Sequence, residues 1–152
     1  MTIQEYMIDA TRKAAAEVFR YAKAVPADKL SWSPDGGRSV ANLCWEMAMC
    51  PTWDYDIIDG REEGNSSGVA LNPEESLPVE EYERECNARI EKLAELFGTI
   101  TDDRLKETKW LPFEGGRDFT VLEMMDYPRW NFNYHLGQIA YIQTMYGDKE
   151  MH

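Results

Sequence analysis

The sequence predicts an all-α protein, a four-helix bundle with a long crossover and a small hairpin or folded loop before the last helix. Three observations carry that reading. Apolar residues recur at helical spacing in four long segments. Glycine-, proline- and serine-rich stretches separate those segments. The 152 residues suffice for one hydrophobic core without metal or disulfide staples, so residues 1–152 are read as a single domain.

The first helix is expected over residues 3–24, where Ile3, Met7, Ala10, Ala14, Val18, Tyr21 and Ala22 recur near a 3.6-residue period. Pro26 ends it, and the turn-forming stretch "KLSWSPDGG" follows, with Trp32 placed to close one end of the core. Ser39 is a natural cap for a second helix, whose inward face carries Val40, Leu43, Cys44, Met47 and Cys50. Pro51 is expected to kink or end that helix. From Gly60 the stretch "GREEGNSSGVALNPEES" reads as a surface loop crossing between helices.

The third helix is expected over residues 79–97, with Tyr82, Cys86, Ile90, Leu93, Ala94 and Phe97 inward and its many glutamates solvated. The segment "DRLKETKWLPFEGGRDFT" then offers two short apolar runs around Gly115 and Gly116, a hairpin or a folded loop. Thr120 and Glu123 form a capping-box pattern that opens the last helix, periodic over residues 121–146 and stopped at Gly147. Pro128 is expected to bend or locally interrupt it.

Composition narrows the function. With 28 acidic against 16 basic residues the formal net charge is -12, which repels polyphosphates and anionic membranes, so neither nucleic acid nor membrane is an expected partner. The first residues carry charges throughout and lack a basic-then-apolar export signal, so the expected compartment is the cytoplasm. Cys44, Cys50 and Cys86 show neither a CxxC pair nor a zinc spacing and read as buried thiols.

The chemistry-bearing stretch is "RWNFNYHLGQIAYIQTMYGD". Only His135 and His152 are histidines, so a site using several imidazoles is excluded, whereas one imidazole with carboxylate, amide or water ligands is not. Asn131, His135 and Gln138 are spaced by four and three and emerge on about one helical face. Glu46 lies beside the inward stripe of the second helix and can converge with Asn131 and His135 across the bundle. Glu46, Asn131 and His135 are chemically credible ligands for a divalent metal with water completing the shell. The plainer reading is a His135–Glu46 hydrogen bond with no metal; a third is general-base action by His135 tuned by Glu46. Trp130, Trp45, Phe132 and Tyr134 offer an organic wall or ordinary packing, and Arg38 a contact for an anionic cofactor or an ordinary ion pair.

Two segments, "LSWSPDGGRSVANLCWEMA" and "NFNYHLGQIAYIQTMYGD", the latter with His135, Gly137, Gln138 and the terminal Tyr-Gly, resemble the DinB-like (DinB/YfiT-like) superfamily. The order of helices and the late insertion extend the resemblance over nearly the whole chain. It implies a four-helix bundle, commonly a homodimer, whose members often bind a divalent metal through one histidine of the second helix and two, four residues apart, in the fourth. Glu46 and Asn131 stand at two of those three positions and His135 at the third. The resemblance further implies a nickel- or zinc-associated transferase or isomerase using a low-molecular-weight thiol, with His135 and Glu46 as catalytic centre and Arg38, Trp130 and Gln138 as cofactor contacts. The alternative is a noncatalytic ligand-binding or stress-related scaffold with a degenerate site and no cofactor.

Overall fold

Three of the four helices begin with the same reciprocal hydrogen bond. Thr2, Ser39 and Thr120 each accept the amide of the third residue onward, and the side chains of Glu5, Asn42 and Glu123 return a bond to the cap. Amides that the first helical turn would leave unsatisfied are thereby occupied. A computed structural model describes residues 1–60 and 70–152. It shows α1 (Ile3–Lys23), α2 (Val40–Asp59), α3 (Val79–Thr99) and α4 (Val121–Met145) as the four long helices. The insertion before α4 is an antiparallel hairpin, β1 (Thr108–Leu111) paired with β2 (Arg117–Thr120), in the register Thr108 opposite Thr120. Gly116 sits in its turn at φ +85°, and an added Cβ there would meet the Trp110 indole at 2.8 Å.

Helix α4 packs against α1 and α2, and α3 packs against the same two, so α1 and α2 lie on one diagonal of the bundle. One part of the core gathers Phe19, Leu43, Met47, Tyr82, Phe132 and Ile139. A second part, with Leu93, Phe97, Val121 and Met125, includes Leu111 of the hairpin. Trp32 meets the Tyr146 ring edge-on at 6.2 Å, where the sequence places it. All three cysteines are free and buried.

Both prolines lie within unbroken helices: of the outcomes expected, kink or end at Pro51 and bend or interruption at Pro128, the end of α2 and the interruption of α4 are corrected. Pro51 has no amide to offer the Met47 carbonyl; the Cys86 thiol of α3, 3.4 Å away, donates to that oxygen instead. Pro128 is buried, as are Met124, Met125, Asn131 and Phe132 one turn to either side of it on α4. Part of the expected surface loop, residues 61–69, lies outside the described residues. The stretch after it is tied down where Trp45 Nε1 donates to the Leu71 carbonyl (2.9 Å) and the Tyr82 hydroxyl to that of Glu75 (2.9 Å). Among the described residues no helix is long and apolar enough to cross a membrane.

The cap that joins hairpin to α4 sets the start of the helix carrying most of the polar centre. Thr120→Ala is expected to lower the unfolding free energy by about 1 kcal/mol, measured as a fall in denaturation midpoint with an unchanged slope.

Candidate functional site

Glu46 is half-buried on α2, and Asn131 and His135 are buried one turn apart on α4. The packing of α2 against α4 brings the three together. His135 Nε2 lies 2.9 Å from Glu46 Oε1, and Asn131 Nδ2 is 3.3 Å from each of those atoms. Glu46 Oε2 is taken by the Arg38 guanidinium at 2.5 Å, and Arg38 also donates to the Asn42 carbonyl. On the far side of the ring, His135 Nδ1 lies 2.6 Å from Gln138 Oε1. Five of the six sequence-derived site residues thus touch one another: Arg38, Glu46, His135 and Gln138 in a chain, with Asn131 bridging Glu46 and His135.

Trp130 stands apart from that chain. Its indole is about half exposed and stacked between Tyr127 (6.0 Å) and Tyr134 (5.3 Å), forming an aromatic ladder beside the polar group. Tyr134 alone of the three meets His135, edge-on at 5.5 Å. Phe132 belongs to the core, and Trp45 packs edge-on against Trp53.

The hydrogen-bond geometry constrains the protons. The Gln138 amide and the Glu46 carboxylate hold the two ring nitrogens of His135 from opposite sides, and the orientation of that amide decides which nitrogen carries the hydrogen. Burial pushes the Glu46 carboxyl up, but the bonds and charges of His135 and Arg38 outweigh it and hold the group below its ordinary value. At 2.9 Å the space between Nε2 and Oε1 holds either a hydrogen bond donated by the ring or a metal cation taken by both atoms.

The donor set fits a cation in two respects. Ligands about 2.0–2.2 Å from a divalent ion are separated by about 2.9–3.5 Å, and the three contact atoms span 2.9, 3.3 and 3.3 Å. Asn131 Oδ1 is buried without a hydrogen-bond partner, and turning the amide over brings this oxygen into the triangle in place of Nδ2. Gln138 supplies the second-nitrogen contact that orients metal-binding histidines. Among the described residues no group of three or more His, Cys, Asp and Glu side chains is placed to hold a metal, so Asn131 is indispensable to such a site.

A longer polar row continues from this centre. Glu46, Cys50 and Asp54 follow at intervals of four on α2, and His135, Asn131 and Tyr127 descend at the same interval on the antiparallel α4. Sequence reasoning passed over Asp54 and Tyr127, although the spacing of four from Glu46 and from Asn131 was there to be read. Burial pushes the Cys44 thiol to about 12 and the Cys50 and Cys86 thiols up as well, so none is a nucleophile at neutral pH. Burial, reinforced by negative neighbours, raises the Tyr127 phenol to about 12. Asp54 is 1% exposed, its Oδ2 has no partner, and burial pushes its carboxyl well above the ordinary range.

Neither a family model nor a curated protein matches the chain.

Asp54 makes the pH dependence of stability specific. Because the folded carboxyl holds its proton more tightly than the unfolded one, its penalty is absent below the unfolded value and accumulates as pH rises toward the folded one. Asp54→Asn is expected to match the parent near pH 4 and to exceed it increasingly up to pH 8, by at most about 1.4 kcal/mol per pH unit. Parallel urea titrations across that range check it; a variant less stable at pH 8 would refute the assignment.

Proposed function

We propose that this chain is a divalent-metal-dependent transferase or isomerase of the DinB-like type, acting with a low-molecular-weight thiol in the cytoplasm. The observation that supports this reading best is the triangle of His135 Nε2, Glu46 Oε1 and the Asn131 amide, with Nδ1 of the ring already committed to Gln138. Glu46, Asn131 and His135 would hold nickel or zinc. A bound ion of this kind supplies Lewis acidity and favours the thiolate form of a thiol that reaches it. Since the protein's own cysteines are buried and held protonated, the reacting sulfur has to come from a small molecule.

The surrounding residues divide the remaining work. Gln138 fixes which ring nitrogen faces Glu46, and the burial of His135 and Asn131 keeps bulk water from their polar atoms. Arg38, partly exposed at 44%, neutralises Glu46 and presents its remaining donors to an anionic group of an incoming thiol. Trp130, stacked between Tyr127 and Tyr134, offers its exposed indole edge.

The second reading, a noncatalytic scaffold, draws on the directness of the same contacts: a His135 ring bonded to Glu46 through one nitrogen and to Gln138 through the other is satisfied with nothing bound. The two readings separate by metal content. The parent protein, stripped and reconstituted, is expected to retain one equivalent of nickel or zinc by elemental analysis. His135→Ala should abolish that binding while the bundle stays folded, and Asn131→His should tighten it at least tenfold. A folded parent that retains no metal under these conditions establishes the scaffold instead.

The homodimer belongs to the same proposal. Trp130, Tyr134, Tyr141 and Met145 are each about half exposed or more and fall on one stripe of α4, with Gly137 at its middle leaving room for close approach. Sedimentation equilibrium is expected to show a dimer that Tyr141→Glu shifts toward monomer. Monomer mass for the parent across a broad concentration range would overturn it.

A further inference from the structure

The polar row between α2 and α4 runs into a cleft that the Glu46–His135 centre does not use. The hairpin, α2 and the first half of α4 enclose about 440 Å³, with walls from Leu111, Phe119, Met124, Tyr127 and Trp130. Asp54, two helical turns and roughly 12 Å along α2 from Glu46, lines the same space. The other charges around the cleft are matched among themselves. Arg117 lies over the Phe119 ring at 3.7 Å and pairs with Glu114 and Glu123, while Asp126 pairs with Arg129. Asp54 differs: it is 1% exposed, and its Oδ2 has no hydrogen-bond partner.

We infer that this cleft binds a small organic ammonium ion with an apolar body, the ammonium donating to Asp54 and the body lying against Tyr127 and Trp130. Each part follows from the chemistry of the walls. An unpaired carboxyl in an apolar site carries an uncompensated desolvation cost, and a cationic N–H donor removes both the missing bond and the missing charge. A neutral ligand supplies no such charge, and an anion brings an uncompensated charge of its own into the same apolar site. Tyr127 and Trp130, stacked on each other, line the cleft with an aromatic wall for the apolar body. The volume is that of a small-molecule site, and a chain of net charge -12 concentrates cations near its surface. The raised proton affinity of Asp54 agrees with this geometry, since a carboxyl lacking its counter-ion keeps its proton. The site is separate from the Glu46–His135 centre, and its test needs no metal.

The experiment titrates the full chain with benzylamine, protonated at pH 7.5, and with benzyl alcohol and benzoate as neutral and anionic counterparts. Binding is followed by the tryptophan indole signals in nitrogen–proton correlation spectra. Benzylamine is expected to saturate and to shift the Trp130 signal, identified through Trp130→Phe, with benzyl alcohol at least tenfold weaker and benzoate not binding. Asp54→Asn should weaken benzylamine at least tenfold while circular dichroism remains that of the parent. Absence of saturable benzylamine binding, equal binding of benzyl alcohol, or undiminished binding by a folded Asp54→Asn overturns the inference. If that variant does not fold, the comparison of the three probes on the parent decides alone.

Discussion

A buried imidazole facing a carboxylate across two helices fixes how those helices can sit. His135 and Glu46 meet at 2.9 Å between α4 and α2. Sliding α4 by one turn would bring either Asn131 or Ile139 opposite Glu46. The first leaves the His135 ring without its counterpart, and the second sets a carboxylate against a hydrocarbon, a loss of several kcal/mol for a half-buried charge. Apolar packing between helices tolerates small shifts far better, because one methyl can replace another. The polar contact therefore selects the register, and the core clusters on either side supply the burial that makes that register stable. Arg38 and Gln138 complete the arrangement from outside the pair, each holding one end in place.

The fold was legible because helix-forming signals were redundant. Ser39 and the Thr120–Glu123 box mark two starts, Gly147 marks a stop, and four apolar stripes name their inward faces. At the prolines the sequence left a bend or a break open, and the helices are unbroken. A rule about isolated helices cannot see that the Met47 carbonyl, deprived by Pro51, finds the Cys86 thiol on a neighbouring helix. Propensity is local, and compensation is tertiary. The hairpin register was likewise beyond reach, since Trp110 closing over Gly116 depends on a turn whose backbone lies at positive φ.

For the site, helical spacing was a sufficient guide to convergence and an insufficient guide to extent. A step of four placed Asn131 with His135, and the inward stripe placed Glu46 opposite them. The same step continues to Cys50, Asp54 and Tyr127, but spacing alone does not say that an acid at such a position is buried rather than solvated. Trp130 shows the converse: adjacency in sequence to a polar centre did not bring it into contact, since its direction from α4 leads to the stacked ladder of Tyr127 and Tyr134. Contact across a bundle depends on where a side chain points, which differs by about 100° between neighbours on a helix.

Glu46 and Asp54 occupy equivalent faces of one helix and are treated in opposite ways. Burial acts against the charge of both, yet Glu46 has Arg38 and His135 to oppose it and is held below its ordinary value, whereas burial alone governs Asp54 and pushes it well above. Folding alone gives no reason to keep an unpaired carboxyl at that position; an amide or an apolar residue of similar size would sit there at lower cost. A cost of this kind is characteristic of positions where a group is held ready for something that arrives later. The two acids thus divide α2 into a half whose electrostatics are closed within the chain and a half whose electrostatics are left open toward the cleft, and it is the second half that asks for a cation from outside.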